Sequence, residues 1–104
     1  MIHVLAFARI KPGMMEPALA AYRVLVPQVL ANEPGCLEFS PTADCNLDLA
    51  NQELTPDLIV VTERWKSVED FRAHLAGPAH VVEFRAAFKD CVEKVTLRIT
   101  EDVL

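Results

Sequence analysis

Four segments of the chain have the alternating or nearly continuous apolar pattern of β-strands. Turn residues bound them: Lys11-Pro12-Gly13 ends the first, and Pro41 is expected to push the far half of the second toward a sheet edge or a bulge. The last segment alternates apolar and polar positions and is expected to be half-buried. The four predicted strands comprise residues 2–10, 36–43, 58–65 and 91–100.

A long amphipathic helix is predicted between the first two strands, where apolar residues recur at helical spacing over residues 14–32. Pro27 lies inside this segment. Proline removes one backbone hydrogen bond and crowds the preceding turn, at a cost of ~3 kcal/mol when nothing compensates. A kink or an early helix end is therefore expected near Leu25.

Two shorter helices are predicted between the third and fourth strands. Ser67 is a plausible N-cap for the first of them, because Asp70 follows three residues later in the manner of a capping box. Gly77 is expected to end that helix. Pro78 is expected in the first turn of the next helix, because the backbone N–H group that proline lacks would have no hydrogen-bond partner there.

The order β-α-β-β-α-β matches the split βαβ, or ferredoxin-like, plan, in which helices cover one face of a four-stranded antiparallel sheet. We therefore expect a single α+β domain over residues 1–104. The first strand carries Val4 on one side and Leu5 and Phe7 on the other, so a homodimer through the sheet face would bury the uncovered side. Residues 44–57 have no clear period and form a candidate lid, a dimer contact or a surface insertion.

Composition narrows the classes of partner. The chain has 10 basic and 15 acidic residues, a net charge of −5, and no long block of either sign, which argues against nucleic acid and anionic membranes. No stretch approaches the ~18 apolar residues of a membrane span, and the first residues resemble a strand rather than a signal peptide. Three scattered cysteines favour a reducing cytoplasm, and three dispersed histidines argue against a metal site.

Aromatic and polar residues from several elements are expected to face one space between the sheet and the helices. An apolar cavity that holds one or two polar groups is the usual form of a small-molecule site. For the phenylalanines, plain core packing is the simpler interpretation, since their spacing suits burial in strands and helices. The candidates are Phe7, Tyr22, Phe39, Trp65, His74 and Phe84.

Two of these candidates are the ones best suited to chemistry. His74 could take or hold a proton near neutral pH. Alternatively, it is a neutral histidine satisfied by one backbone partner, which is what spacing alone favours. Trp65 is either a plug over the end of the sheet or a flat wall for an aromatic ligand.

Three further polar residues have weaker positions. Tyr22 could bring its phenol to a ligand or direct its hydroxyl to the helix edge. His80, near a helix start, is expected to be partly exposed to solvent. Glu63 could orient a histidine, but an ion pair with Arg64 or Arg98 at the surface is the preferred interpretation.

Four sequence segments together resemble the antibiotic biosynthesis monooxygenase (ABM) domain family of the dimeric α+β barrel superfamily: ARIKPG at 8–13, NEPGCLEF at 32–39, TERWKSVEDFRAHL at 62–75 and PAH at 78–80. The resemblance implies a homodimer whose two sheets pack into a barrel. It also implies the oxygenation of polycyclic phenols or quinols with dioxygen and without flavin, metal or other cofactor.

The resemblance also suggests roles for individual residues. Trp65 would be the pocket wall and His74 the catalytic polar group, with His80 at the rim of the pocket. The substrate-binding surface would include Phe7, Tyr22, Phe39, His80 and Phe84.

Two departures from the family pattern bear on the chemistry. Some oxygenating members have an asparagine on the strand that leads to the tryptophan, where this chain has IVVTER, and haem-degrading relatives have one on the first strand, where this chain has LAFAR. These differences argue more against haem breakdown than against quinol oxygenation.

The first hypothesis is thus a cytoplasmic monooxygenase of a small aromatic or quinol-like compound. A non-catalytic module that binds an apolar ligand and an isomerase of a small carbonyl signal molecule are the alternatives.

Overall fold

A four-stranded antiparallel sheet with three helices forms the whole chain in the computed structural model, which describes residues 1–104. The strands lie in the order β2-β3-β1-β4. This arrangement confirms the predicted α+β ferredoxin-like fold. In chain order the elements are β1 (Ile2–Ile10), α1 (Met15–Asn32), β2 (Cys36–Thr42), β3 (Leu58–Trp65), α2 (Val68–Ala76), α3 (Ala79–Phe88) and β4 (Val92–Glu101).

The ends of α2 follow from local side-chain chemistry. The Ser67 hydroxyl accepts a hydrogen bond from the backbone N–H of Asp70 at 3.1 Å and donates one to the Asp70 carboxylate at 2.8 Å. Gly77 ends the helix in the left-handed region, at φ 97°, where a side chain would be strained. Both predicted boundaries of this helix are confirmed, and they fix the position of His74 in its last turn.

The predicted early end of α1 near Leu25 is wrong, because the helix continues past Pro27 to Asn32. Leu25 and Val29 are 3% and 0% exposed, on a face that packs into the core. Complete burial of one such side chain contributes roughly 1.5–3 kcal/mol, so the two together offset the hydrogen bond that proline removes.

Burial alternates along β3, as the sequence predicts. Ile59, Val61, Glu63 and Trp65 lie on the face covered by the helices, and the residues between them are only partly buried. The even-numbered residues of β1 lie on the same face of the sheet, because Ala6 is paired with Val61 of β3. The core therefore occupies the space between this side of the sheet and the three helices.

The prediction that β4 is half-buried is wrong for the single chain. Every residue of this strand after Val92 is exposed, including Val95, Leu97 and Ile99 at 51%, 42% and 52%. β4 is an edge strand, and it packs mainly against β1 rather than against a helix. An apolar stripe is therefore uncovered along this edge of the helical face.

β2 forms the opposite edge of the sheet, which agrees with the placement of Pro41. The following connection, residues 43–57, contains neither helix nor strand. The Gln52 side chain holds it by accepting from the backbone of Leu47 at 3.0 Å and donating to the carbonyl of Cys45 at 2.5 Å. No helix of the chain combines the length and apolar character needed to cross a membrane.

Candidate functional site

A cavity of about 280 Å³ lies between the sheet and the helices, and 12 of its 15 lining residues are hydrophobic. Its deep wall contains the buried side chains of Tyr22, Glu63 and His74, at 6%, 4% and 8% exposure. Its mouth is formed by exposed residues, among them Leu75 and Arg85 on the helices. Leu97 extends this mouth onto the uncovered edge of β4. The polar groups therefore lie at the inner end of the cavity, and mostly apolar side chains surround the path to them.

Four of the six residues predicted to share this space do line the cavity: Tyr22, Phe39, His74 and Phe84. Trp65 is completely buried and lies behind the wall, against the His74 ring at a centroid distance of 4.9 Å. It contacts the residues that line the cavity instead of forming its surface. A ligand would meet His74 before it met the indole.

The predicted place of Phe7 in this cavity is wrong, because the residue lies on the other face of the sheet. Strand side chains alternate, and Val4, Ala6 and Ala8 occupy the helical side of β1. Phe7 pairs with Val60 and Thr96 in the strands on either side and borders a shallow recess on the open face. It is therefore too remote from His74 to contact the same ligand.

His74 is held by a carboxylate rather than by the backbone partner that was expected. Its Nδ1 lies 3.0 Å from both carboxylate oxygens of Glu33, which follows the last residue of α1. A carboxylate only accepts hydrogen bonds, so Nδ1 carries the hydrogen. In the neutral ring, Nε2 is then an acceptor, and it makes no hydrogen bond within the chain. This nitrogen therefore has a free lone pair, on a side chain that lines the cavity.

Glu33 also holds His80, whose Nε2 lies 2.7 Å from one of the same carboxylate oxygens. The His80 side chain is 10% exposed, so its contact with solvent is partial, as expected, but small. It does not line the main cavity but borders a separate recess of about 100 Å³ between α1 and α3. No group of three or more histidine, cysteine, aspartate or glutamate side chains is arranged to hold a metal ion.

Glu63 is the second polar group on the deep wall, and its predicted surface ion pair is wrong. Its carboxylate accepts a hydrogen bond from Trp65 Nε1 at 3.0 Å, whereas the neighbouring Arg64 pairs with Glu38 at 2.9 Å on the other face. Burial raises the pKa of Glu63 to about 7; the Trp65 hydrogen bond lowers it and the charge on Glu33 raises it. At neutral pH this carboxyl can therefore both donate and accept a proton.

Tyr22 supplies a hydroxyl to the same wall. Burial raises the pKa of its phenol well above the usual range, and the nearby charge of Glu63 adds to this effect. Its ring packs against Phe84 and Phe88, at centroid distances of 4.9 and 5.1 Å. Tyr22 is thus a fixed neutral side chain that can donate a hydrogen bond but is not a base at neutral pH.

Sequence reasoning missed Glu33 and underrated Glu63. Glu33 lies 41 residues from His74 along the chain, so no local periodicity connects the two. The available signal was the segment NEPGCLEF, in which Glu33 follows a helix and precedes a turn. For Glu63 the signal was its position on the buried face of β3, beside Trp65.

Comparisons with known proteins agree with this architecture. The model of the family described as antibiotic biosynthesis monooxygenase matches residues 1–89. The "Probable quinol monooxygenase YgiN" of Escherichia coli strain K12 is 34% identical over 103 residues, which are 97% of this chain and 97% of that protein. The Shigella flexneri protein of the same name gives the same figures.

Solved structures with less than 25% identity share the fold. A Nitrosomonas europaea protein, described as a proposed antibiotic biosynthesis monooxygenase, has a TM-score of 0.83 and 23% identity, with 100% of both chains covered. A protein from Methanosarcina mazei Go1 has a TM-score of 0.78 and 20% identity, and the match covers 95% of this chain and 89% of that one. With the family match over residues 1–89 and the 34% identical relative, the chain belongs to the antibiotic biosynthesis monooxygenase family.

Proposed function

We propose that the protein is a monooxygenase that oxidises a small aromatic or quinol-like compound with dioxygen and requires no flavin or metal. The observation that carries this proposal is the pairing of His74 with Glu33 at the deep end of an apolar cavity. The fixed Nδ1–H leaves Nε2 as a base directed away from the carboxylate. The name of the Escherichia coli relative, a probable quinol monooxygenase, supports quinols as the substrate class.

The size of the cavity suits a substrate with one or two rings. A cavity of about 150 Å³ is enough for one benzene molecule. The present cavity is about 280 Å³ and opens toward β4, so a longer substituent can extend past the mouth. The aromatic side chains of Tyr22, Phe39 and Phe84 offer contacts for the faces and edges of such rings.

His74 would start the reaction by removing a hydroxyl proton from the bound compound at Nε2. The resulting anion is electron-rich and can transfer an electron to dioxygen directly. Because the lining is mostly apolar, few waters compete with His74 for the hydroxyl group. Glu33 stabilises the charged imidazole that forms, since its carboxylate already accepts the hydrogen on Nδ1.

Trp65 has a different role in this proposal from the ring-stacking wall suggested by the family resemblance. It is 0% exposed and contacts both Glu63, through Nε1, and His74, through its ring. It is therefore a positioning residue that fixes two polar side chains relative to each other. His80 has a similar supporting part, because it donates to the carboxylate that orients His74.

Oxygen uptake by the metal-stripped protein, measured across a panel of quinols and polyphenols, tests the proposal. A general base contributes typically ~10²- to 10⁴-fold in rate, so His74→Ala should remove most turnover and leave the fold intact. His3→Ala is the matched control, because His3 is exposed and pairs with Asp102 on a different part of the chain. Wild-type turnover in folded His74→Ala would contradict the assignment.

The same panel separates the alternatives. Identical product formation with and without oxygen would indicate an isomerase. Binding without any consumption of oxygen would indicate a module that only holds its ligand. Neither alternative explains a rate that depends on both oxygen and His74.

We also propose a homodimer that forms through the open face of the sheet. Apolar side chains, including Leu5 at 36% exposure and the partly buried Phe7 and Val60, lie on this face. Phe7→Asp should therefore convert a dimer of 11.6-kDa chains into monomers in sedimentation experiments, whereas Val24→Asp on the outside of α1 should not. A wild-type protein that stays monomeric at all concentrations would contradict the dimer.

A cytoplasmic location completes the proposal. Cys36, Cys45 and Cys91 are all free thiols, and free thiols are typical of a reducing compartment. Cell fractionation with an antibody against the protein tests this location, and recovery outside the cytoplasm would contradict it.

A further inference from the structure

We propose that Glu63 is the second proton-transferring residue of the cavity: it protonates the peroxide formed from dioxygen and then removes the hydrogen from the carbon being oxidised. The inference rests on the proposed oxygenation and deepens it. It assigns a catalytic role to a residue for which the sequence favoured a surface ion pair.

The first argument is the position of Glu63 within the cavity. Its side chain comes from the middle of the sheet, is 4% exposed and lines the deep wall together with His74. One oxygen is held by Trp65 Nε1, and the other makes no hydrogen bond within the chain. Every fully buried side-chain oxygen or nitrogen has a hydrogen-bond partner. Since the second oxygen of Glu63 has none, it is not fully buried. It is available to a ligand.

The second argument is that one residue fixes both polar groups. Trp65 donates to Glu63 at 3.0 Å, and its ring packs against His74 at a centroid distance of 4.9 Å. Because both side chains contact the same fully buried indole and line the same cavity, their relative positions are fixed. A ring bound in the cavity can therefore contact His74 with its hydroxyl and Glu63 with an adjacent carbon.

The reaction needs proton transfers at two places on the substrate, at the hydroxyl group and at the carbon that is oxidised. His74 takes the hydroxyl proton, one electron passes from the anion to dioxygen, and the two radicals join in a carbon–oxygen bond that carries a peroxide anion. The Glu63 carboxyl protonates the distal peroxide oxygen. Its carboxylate then takes the hydrogen of that carbon as a proton, the electron pair of the C–H bond forms the carbonyl, and the O–O bond breaks.

The leaving hydroxide receives the proton that His74 holds and departs as water. The substrate has then lost two hydrogens and gained one oxygen, and both residues have returned to their starting states. Dioxygen is the only oxidant, since its four-electron reduction yields one carbonyl oxygen and one water. With His74 at the hydroxyl oxygen of the substrate, Glu63 serves the two proton transfers at the neighbouring carbon.

The electrostatic surroundings support a carboxyl that exchanges its proton near neutrality. The ionisable groups near Glu63 are Tyr22 of α1, Glu33 at the end of α1, Cys36 of β2 and His74 of α2, with Arg85 of α3 at the mouth. Burial and the Glu33 charge bring the pKa of Glu63 to about 7. An acid–base group is most effective when its pKa lies near the working pH.

Glu63→Gln tests the role, because glutamine can still accept the Trp65 hydrogen bond but has no proton to transfer. With ¹⁸O₂ and an active quinol, the wild type should form product with one labelled oxygen. Glu63→Gln should lose this labelled product by about a hundredfold or more. Glu63→Asp, which retains an acid, should recover part of it, and the exposed Glu53→Gln should match the wild type. Wild-type labelling in Glu63→Gln would overturn the proposal.

A binding measurement separates failure of this proposal from failure of the proposed oxygenation. Trp65 is the only tryptophan, so its fluorescence reports binding of 2-naphthoate, an anion, and 2-naphthamide, its neutral counterpart. Between pH 6 and 8 the preference for the amide over the anion should increase about tenfold in the wild type and much less in Glu63→Gln. If no quinol is oxidised but this difference is seen, oxygenation fails and Glu63 remains the titrating residue of the cavity. An equal pH dependence in both proteins would overturn the role of Glu63.

Discussion

Ionisation of the buried Glu63 carboxyl should lower the free energy of unfolding near neutral pH. Glu63→Gln should remove this pH-dependent loss. The pKa of this carboxyl rises from 4.5 to about 7 on folding, mainly through burial. The folded state therefore holds the proton more tightly than the unfolded chain does. The resulting stabilisation is fully present below pH 4.5 and is lost as the pH rises through about 7.

The size of this effect follows from the shift. One pKa unit corresponds to about 1.4 kcal/mol, so a rise from 4.5 to about 7 corresponds to roughly 3 kcal/mol in the free energy of unfolding. Because Glu63 is only 4% exposed, little solvent screening reduces this value. As the pH rises from 4.5 to 8, the free energy of unfolding of Glu63→Gln should increase relative to that of the wild type by up to about 3 kcal/mol.

Urea unfolding at a series of pH values measures this difference directly. Glu53→Gln is the control, since Glu53 is an exposed loop carboxylate whose replacement should leave the pH dependence as in the wild type. The comparison between variants cancels the contributions of the other ionisable groups. If the stability difference between Glu63→Gln and the wild type stayed constant from pH 4.5 to pH 8, the buried-carboxyl argument would be refuted.

Two further substitutions test neighbouring contacts. Trp65→Phe removes the hydrogen bond that lowers the pKa of Glu63. In a ¹³C NMR titration the Glu63 carboxyl should therefore titrate above the wild-type pKa of about 7, and a pKa at or below that value would be inconsistent with the contact. Gly35→Ala would bring its Cβ into steric overlap with the Asp70 side chain, so it should destabilise the protein by roughly 1–3 kcal/mol in thermal unfolding. An unchanged melting temperature would show that the approach is not close.

The parts of the fold that were predictable are those with a local cause. The side chain of Ser67 caps α2, and Gly77 can adopt the left-handed conformation that ends it; both effects act within a few residues. The alternation along β3 likewise follows from one buried face. Such features depend on neighbours in the chain and are visible in the sequence alone.

The errors arose where tertiary contacts decide the outcome. The interior position of Pro27 in α1 depends on the burial of the turns around it, which no local rule supplies. β1 is apolar on both sides, so the pattern separates Phe7 from Val4 without revealing which of them faces the helices. Pairing with β3 settles this point, because Ala6 lies opposite Val61 on the buried side.

The candidate site was predictable in its members more than in their connections. Residues at strand and helix spacing, such as Tyr22 and Phe39, were correctly brought to one cavity. The interaction between Glu33 and His74 spans 41 residues and joins a helix end to the last turn of another helix. It requires the whole fold, and it gives His74 a carboxylate partner, Glu33, that the sequence did not suggest.

Proton transfer from a bound quinol to His74 is the central claim, and anaerobic difference spectroscopy tests it most directly. Without oxygen the reaction stops after the first step, so the absorbance of the bound anion can be recorded at a pH where the free quinol is neutral. The wild type should show the anion spectrum, and folded His74→Ala should show that of the neutral quinol. A neutral spectrum in both proteins, or an anion in both, would contradict the role assigned to His74.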